Sequence, residues 1–325
     1  MSTDAEMIAD RRRLRRKLSV WRVMAVLALV VAVAAIGFRI AGRDPSGLVE
    51  GPRHVARISI SGFISGDRHM TELFERVGKS DSTAGVIIAI NSPGGTTTGA
   101  EELYRGIRAL AEKKPTVAFV DGLAASGGYI AALAADRIVA RETSLVGSIG
   151  VLFQIPNVSE LLGNVGVSVE EIKSSPLKAA PSGVTPTSPE ARAALQSVVN
   201  DTYAWFRGLV GGRRQLGEAE VATVSDGRIF SGRQALPLRL VDQLGGEDDA
   251  LAWLETQKGV TRDLPVRDWK PRKDRDGFGL LTTAAFGADL LGFEHLAASV
   301  RRFAGSAQAI QLDGLLAVWQ PVAEK

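Results

Sequence analysis

The sequence contains no cysteine, three histidines and, at 6%, few aromatic residues among its 325 residues. Without cysteine the chain cannot form disulfides, thiolate metal sites or a cysteine nucleophile, and its redox compartment stays open. The net charge is only +3, and one basic run, RRRLRRK (11–17), carries six positive charges. Because the remainder is close to neutral, the composition argues against a nucleic-acid-binding protein, whose basic residues would be spread over a binding face.

A long apolar run follows this basic segment. Within residues 21–40, WRVMAVLALVVAVAAIGFRI, the stretch from Met24 to Phe38 has no charged or strongly polar side chain. A membrane-spanning helix needs about 20 apolar residues, and the amphipathic flanks of this stretch can extend it to that length. We therefore predict a cytoplasmic basic leader over 1–20 and a transmembrane signal-anchor over 21–40. A cleaved signal peptide is the alternative, because AVAA offers small residues.

Short apolar runs alternate with helical patterns in the remainder of the chain. After a Gly/Pro-containing linker over 41–54, apolar and polar residues alternate in VARISISGFI, which predicts a half-buried strand. Continuously apolar runs are typical of parallel strands covered on both faces, and three of them follow: GVIIAI (85–90), TVAFV (116–120) and DRIVA (136–140). Helical spacing between the runs predicts an α/β domain over 55–266 with right-handed crossovers.

Two segments lie outside this alternation. A long amphipathic helix is predicted to begin at Ser188, which is followed by Pro189 and Glu190. The pattern loosens into a C-terminal extension over 267–325. Near its end, LDGLLAVWQP (312–321) is apolar enough to dock on another surface.

One serine, Ser126, stands among small residues in DGLAASGGYIAA, where an apolar strand ends. A second glycine-rich turn, NSPGG (91–95), ends the preceding strand. Active sites of open parallel sheets lie beyond the carboxyl ends of the strands, where helix N-termini offer unpaired N–H groups. If Ser126 opens one helix and Gly94–Gly95 the other, the pair supplies a nucleophile and two amide donors, as acyl transfer requires. Alternatively, the small residues serve only close helix–strand packing.

The sequence has neither of the common phosphate-binding glycine motifs and no G-x-S-x-G elbow. None of its histidines, His54, His69 and His295, neighbours a glycine turn, so a lysine is the next candidate for activating a serine. A lysine base has to be neutral near pH 7, which requires burial. Lys178 in SSPLKAA is flanked by apolar residues, whereas Lys173 follows two acids and should stay charged.

Four motifs, NSPGG, DGLAASGGYIAA, SLVGSIGV and RIFSGRQALPLRLVDQLGG, resemble in order and spacing the signal peptide peptidase A family. Its members are membrane-anchored bacterial serine proteases of the Clp-protease/crotonase superfamily. The resemblance covers roughly 55–254 and implies an α/β fold of repeated strand–strand–helix units, a homo-oligomeric ring, and no metal or cofactor. Position by position, it implies the following roles: Ser126 as nucleophile, Lys178 as general base, Gly95 and Gly127 as oxyanion donors, and Ser148 as the hydroxyl that holds the lysine amine.

The sequence departs from the family pattern at two places. SSPLK stands where the family commonly has a glycine and an aromatic residue before its lysine. Arg239 stands where the family usually has glycine, at an expected helix end.

The resemblance implies a membrane-anchored endopeptidase that forms an acyl-enzyme and degrades remnant signal peptides and other extended peptides. Its Ser-Lys peptidase domain, 55–266, would lie on the periplasmic or otherwise extracytoplasmic side of the bacterial inner membrane. Two other functions stay open. A crotonase-type acyl-CoA hydratase or hydrolase would share the fold but needs neither a membrane span nor a serine–lysine pair. A catalytically idle membrane scaffold is the other.

The basic leader generates a prediction about topology. A reporter fused after Glu50 should be active only outside the cytoplasm, because positive charge preceding a span is retained on the cytoplasmic side. A reporter signal from the cytoplasm at the same fusion point would contradict this orientation.

Overall fold

The computed structural model describes residues 52–271 together with Trp21, Met24 and 315–318. The chain divides into two units, Met1–Pro52 and Arg53–Lys325, and the fold below is that of the second. The transmembrane segment predicted over 21–40 lies outside the described residues apart from Trp21 and Met24, both of which are helical. No helix among the described residues combines the length and the apolar character needed to cross a membrane.

Strands and helices alternate along the second unit. The strands are β1 (His54–Ile64), β2 (Thr83–Thr96), β3 (Thr116–Ala125), β4 (Arg137–Ala140), β5 (Leu145–Gly147), β6 (Leu152–Phe153), β7 (Ile229–Ser231), β8 (Gln243–Leu244), β9 (Val266–Trp269) and β10 (Leu315–Val318). The helices are α1 (Arg68–Lys79), α2 (Thr97–Ala111), α3 (Gly127–Leu133), α4 (Ser159–Asn164), α5 (Pro189–Arg214), α6 (Glu218–Val224), α7 (Gly232–Ala235) and α8 (Glu247–Gln257).

The predicted α/β fold is confirmed. Strands β1, β2, β3, β4 and β8 pair in parallel with their successive neighbours. Apart from Asp136, which precedes β4, all four predicted strand segments lie within β1 to β4. The predicted alternation in β1 is also seen, because Ala56, Ile58 and Ile60 are buried while Ser59 and Ser61 are exposed.

Helices cover both faces of the sheet. On one face, buried residues of α1, α2, α3 and α5 form one apolar cluster with alternate residues of β2, such as Ile88 and Ile90. On the other face, Leu254 of α8 packs with Ile87 and its neighbours. Burial on both faces explains why these strands read as continuous apolar runs in the sequence.

The long strands β2 and β3 each change partner along their length. β3 pairs with β4 over Val117 to Val120 and with β5 over Leu123 to Ala125. β2 pairs with β3 up to Ile90, shifts register, and makes its last pair where Ser92 faces Ala124. β2 and β3 are therefore each one continuous strand with two successive pairing segments.

Two helix-end predictions can be compared directly with the fold. Ser188 caps the long helix α5, since its side chain accepts a hydrogen bond from the amide of Ala191. Arg239, at the position where the family usually has glycine, has a φ of 58°. This left-handed conformation favours glycine, so the departure lies at a turn where an L-residue is strained.

Candidate active site

The two glycine-rich turns meet at the last pair between β2 and β3. Ser92 lies opposite Ala124 there, two residues before Ser126. Beyond this pair, α3 begins against the backbone of β2, and a Cβ built on Gly128 would lie 2.7 Å from the carbonyl oxygen of Ser92. Real Cβ atoms do not approach an oxygen so closely, so glycine at position 128 permits the contact. The sequence motifs NSPGG and ASGGY therefore form one structural unit.

Ser126 has a backbone conformation that is rare for an L-residue. Its φ is 53° and its ψ is −116°, close to the first central position of a type II′ turn, where glycine is usual. Holding a serine there costs on the order of 1–3 kcal/mol, which the surrounding structure has to offset. The Ser126 amide donates a 2.8 Å hydrogen bond to the Gly147 carbonyl, which helps to fix this geometry.

The Ser126 hydroxyl makes no hydrogen bond to the helix that it begins, and none is seen to any other group in the part of the chain that the structure describes. Ser126 is the N-cap of α3, as the sequence predicts, yet its side chain makes no capping hydrogen bond. A serine at this position usually accepts a bond from an amide of the first turn. The residue is only 1% exposed, so the structure buries a serine without using its side chain for the helix.

Gly127 is the first residue of α3 and is buried. The amides of Tyr129 and Ile130 donate to the Ser126 carbonyl at 2.9 and 3.0 Å. The amides of Gly127 and Gly128 precede this hydrogen-bond ladder, as the first amides of any helix do. The predicted donor at Gly127 thus lies directly beside the predicted nucleophile.

Three hydrogen bonds from arginine side chains hold the other end of α3. Arg213 donates to the carbonyls of Leu133 and Ala135 at 2.8 and 2.7 Å, and Arg108 donates to the carbonyl of Ala134 at 2.9 Å. These carbonyls have no partner within the helix, and cations are favourable at a helix C-terminus. The arginines therefore fix the position of a helix that is only seven residues long.

Tyr129 fixes the same helix from the side. Its hydroxyl donates a 2.7 Å hydrogen bond to the carbonyl of Leu240, and burial raises the pKa of this phenol well above its usual range. The phenol therefore stays neutral and keeps its proton as a donor at physiological pH. Its role is structural, three residues from Ser126.

Gly95 lies in a different element from the one expected. We predicted that Gly94–Gly95 opens a helix, but both residues belong to β2, and α2 begins at Thr97 with Thr96 as its N-cap. The strand continues because Phe63 and Ile64 of β1 still pair with Gly94 and Gly95. A Cβ at Gly95 would overlap the backbone of Ile64, so close packing of two strands requires this glycine.

Ser92 is a site residue that the sequence reasoning missed. Its hydroxyl donates to the Gly62 carbonyl at 2.6 Å and accepts from the Gly94 amide at 3.1 Å. It thereby ties β1 to the turn that precedes Gly95. Nothing in the sequence distinguishes this serine from any other turn serine, because its partner on β1 is 30 residues away.

Ser148 is brought next to Ser126. The residue before it, Gly147, pairs with Ala125, which precedes Ser126. Ser148 is 8% exposed and has a φ of 51°, and its amide donates to the Arg228 carbonyl at 2.8 Å. Two serines with left-handed φ, Ser126 and Ser148, therefore directly follow the neighbouring strands β3 and β5.

The burial predicted for Lys178 is not seen in the single chain. Lys178 is exposed, as are its neighbours Pro176 and Leu177, in a segment of turns between α4 and α5. The apolar residues around it in the sequence do not bury it, because no described element packs over this segment. No hydrogen bond or ion pair joins its amine to Ser126 or Ser148 among the described residues.

Lys173 has the charged environment that was predicted. Its amine lies 2.6 Å from a carboxylate oxygen of Glu171, and both side chains are partly buried. The hydrogen bond from Lys173 lowers the pKa of Glu171. The Lys173 amine is therefore engaged by Glu171 and not by either serine of the site among the described residues.

The packing of Gly95 generates a prediction. Gly95→Ala should destabilise the fold by about 1–3 kcal/mol, because the added methyl group displaces the backbone of Ile64. If the Gly95 amide is an oxyanion donor, acylation of the folded variant should slow by about 100- to 1,000-fold. Urea unfolding and single-turnover kinetics measure the two effects.

Gly208→Ala is the matched control, since Gly208 lies in α5 and an added Cβ would meet no atom within 4 Å. It should leave activity unchanged and stabilise the helix slightly. An unchanged acylation rate in folded Gly95→Ala would contradict the role of Gly95.

Comparison with known proteins identifies the family. Residues 108–261 match the family model described as Peptidase family S49. A protein of Methanocaldococcus jannaschii, provisionally named as a protease, is 36% identical over 220 residues, covering 68% of this chain and 70% of that protein. An Enterococcus faecium protein, provisionally named signal peptide peptidase SppA, is 31% identical over 241 residues, covering 70% and 69%.

Among solved structures, a membrane-bound stomatin-specific protease superposes with a TM-score of 0.44 at 15% identity, covering 68% of this chain and 100% of that one. The chain belongs to peptidase family S49, the family of signal peptide peptidase A.

Proposed function

We propose that the protein is a serine endopeptidase in which Ser126 is the nucleophile and Lys178 the general base. The observation that carries this proposal is the geometry of Ser126. A buried serine is held at a φ of 53° with an uncapped hydroxyl, directly before the Gly127 amide. Strain of this kind persists where the surrounding structure imposes it, often at active sites. A serine that only packed or capped α3 would need neither the strain nor the free hydroxyl.

The reaction follows acyl-enzyme chemistry. The Ser126 oxygen attacks the peptide carbonyl while its proton passes to the neutral Lys178 amine. The amides of Gly95 and Gly127 donate to the oxygen that becomes negative. The lysine then gives its proton to the leaving amine as the C–N bond breaks. Water, deprotonated by the same lysine, hydrolyses the ester and restores both groups.

To act as a general base, the Lys178 amine has to be shielded from water. The Ser148 hydroxyl would orient this amine. In the single chain Lys178 is exposed, and the surrounding segment carries several exposed apolar side chains. These are Val165, Val167, Val169, Ile172 and Leu177. Assembly into a homo-oligomer would cover this surface and remove Lys178 from water. Such assembly is part of the proposal.

The proposed substrates and location are those that the family resemblance suggests. Extended peptides, including remnant signal peptides released into the membrane, are the proposed substrates. A transmembrane segment over 21–40 would anchor the catalytic domain on the extracytoplasmic side, close to such peptides. The chemistry requires no metal or cofactor.

Replacement of the nucleophile is the direct test. Ser126→Ala should lose both peptide hydrolysis and labelling by a fluorophosphonate probe, because the probe reacts only with an activated serine. Ser197→Ala, on an exposed position of α5, should keep both. Labelling that survives in Ser126→Ala would place the nucleophile elsewhere, and a wild type without labelling or hydrolysis would indicate an idle scaffold.

Substitutions of Lys178 and of Lys173 should have opposite effects on peptide hydrolysis. Lys178→Ala and Lys178→Arg should both abolish hydrolysis without unfolding the protein, because arginine does not give up its proton. Lys173→Ala should remain active, since Lys173 is paired with Glu171. Peptide hydrolysis by the three variants, with circular dichroism to check folding, decides the question. Full activity in Lys178→Arg would rule out a lysine base at this position.

A further inference from the structure

The pairing of β1 with β2 shifts register just before Gly95. On β1 the single residue Gly62 lies in the shift, whereas β2 has two residues there, Ser92 and Pro93. Proline has no amide hydrogen, so Pro93 cannot donate a backbone hydrogen bond to β1. The Ser92 hydroxyl joins the two strands instead, because it donates a 2.6 Å hydrogen bond to the Gly62 carbonyl.

The same hydroxyl also binds the residue that precedes Gly95. Its oxygen accepts a hydrogen bond from the Gly94 amide at 3.1 Å. Gly94 has a φ of 101°, a conformation that favours glycine. The N–H of Gly95 belongs to the peptide group that follows Gly94. A hydrogen bond that holds the Gly94 backbone therefore limits the direction in which the Gly95 N–H can point.

Ser92 also contacts the helix that begins beside the proposed nucleophile. A Cβ built on Gly128 would lie 2.7 Å from the Ser92 carbonyl oxygen and 3.3 Å from the Ser92 Cβ. The first turn of α3 therefore packs directly on Ser92, one residue after Gly127. Ser92 itself is completely buried. One buried residue thus contacts both elements that carry the proposed oxyanion donors.

We propose that Ser92 is a positioning residue that sets the separation and the direction of the two oxyanion donors, the amides of Gly95 and Gly127. The inference rests on the proposed peptidase function and adds to it a residue that acts through these amides. A displacement of about 1 Å in a catalytic group can cost about 100-fold in rate. The Ser92 hydroxyl should therefore stabilise the transition state and leave binding of the substrate ground state unchanged.

The first experiment compares Ser92→Ala with the matched control Ser144→Ala. Ser144 is also buried, and its hydroxyl donates to the carbonyls of Val120 and Asp121 at 2.8 and 3.2 Å. Both substitutions remove a buried hydroxyl that binds a backbone carbonyl, so both should lower the urea midpoint of unfolding. Only Ser92→Ala should also lower kcat, by about 10- to 100-fold, with KM nearly unchanged. An unchanged kcat in folded Ser92→Ala, or an equal fall in both variants, would overturn the inference.

The second experiment uses a peptide aldehyde as an analogue of the tetrahedral intermediate. The Ser126 oxygen bonds to the aldehyde carbon while its proton passes to the general base, and the former carbonyl oxygen takes the oxyanion position. The inhibition constant should rise in Ser92→Ala by about the factor by which kcat falls.

Ground-state binding is the control for the aldehyde. A dye-labelled peptide amide of the same sequence is titrated against Ser126→Ala and against the double variant with Ser92→Ala, and fluorescence anisotropy is recorded. The two affinities should be equal. A loss of affinity shared by the aldehyde and the amide would indicate a general distortion of the site and contradict the positioning role.

A double-mutant cycle tests whether Ser92 acts through Gly95. Single-turnover acylation is measured for Ser92→Ala, Gly95→Ala and the double variant. Ser92→Ala should slow Gly95→Ala much less than it slows the wild type, because residues that act through one group are not additive. Effects that multiply would show that the two residues act independently, and would overturn the proposed coupling.

These measurements separate the inference from the proposed function. Peptide hydrolysis and fluorophosphonate labelling by the wild type, with the same kcat in Ser92→Ala, would keep the peptidase and reject the positioning role. A wild type that neither hydrolyses peptides nor becomes labelled would reject the peptidase chemistry, and the positioning role with it.

Discussion

The contact of Gly128 with the carbonyl of Ser92 is the constraint on which the site depends. It brings the N-terminus of α3 onto Ser92, the last residue of β2 that pairs with β3. The chain therefore has to leave β3 abruptly, and Ser126 takes up the strain as a left-handed residue. Ser92 in turn holds the Gly94 amide and the Gly62 carbonyl, so the same contact sets where Gly95 lies.

Electrostatics and hydrogen bonding keep this arrangement rigid. Arg213 and Arg108 satisfy the C-terminal carbonyls of α3, and Tyr129 anchors the helix to the carbonyl of Leu240. Each interaction replaces water at a buried or partly buried backbone group, which would be costly if left unpaired. The net gain of each bond is modest, but together they leave the short helix little freedom to relieve the strain at Ser126.

Features coded by local patterns could be predicted from the sequence. Periodicity and capping chemistry act over a few residues. They predict the strands, the helix cap at Ser188 and the position of Ser126 at a helix start. The conformations of Ser126 and Ser148 could not be predicted, because a left-handed φ at a serine carries no compositional signal. Pairing of β10 with β2 also escaped prediction, since backbone pairing is sequence-tolerant and joins residues more than 200 positions apart.

Two expectations drawn from local sequence patterns differ from the structure. Lys178 has apolar neighbours along the chain, yet burial depends on which elements pack over a segment, and none of the described elements covers this one. The sequence pattern at Gly94–Gly95 is typical of a helix start. However, β1 extends far enough for Phe63 and Ile64 to pair with these glycines, so they belong to the sheet. In both cases a tertiary contact, or its absence, overrode the local pattern.

Ser126 and Lys178 lie in segments of different local stability. Ser126 lies in a buried unit whose opening would break strand pairs, arginine caps and core packing together. Lys178 lies in exposed turns with few buried contacts. Segments of this second kind open at a far smaller free-energy cost than the global fold. In the single chain, moderate heating should therefore open the Lys178 segment while the sheet around Ser126 is still intact.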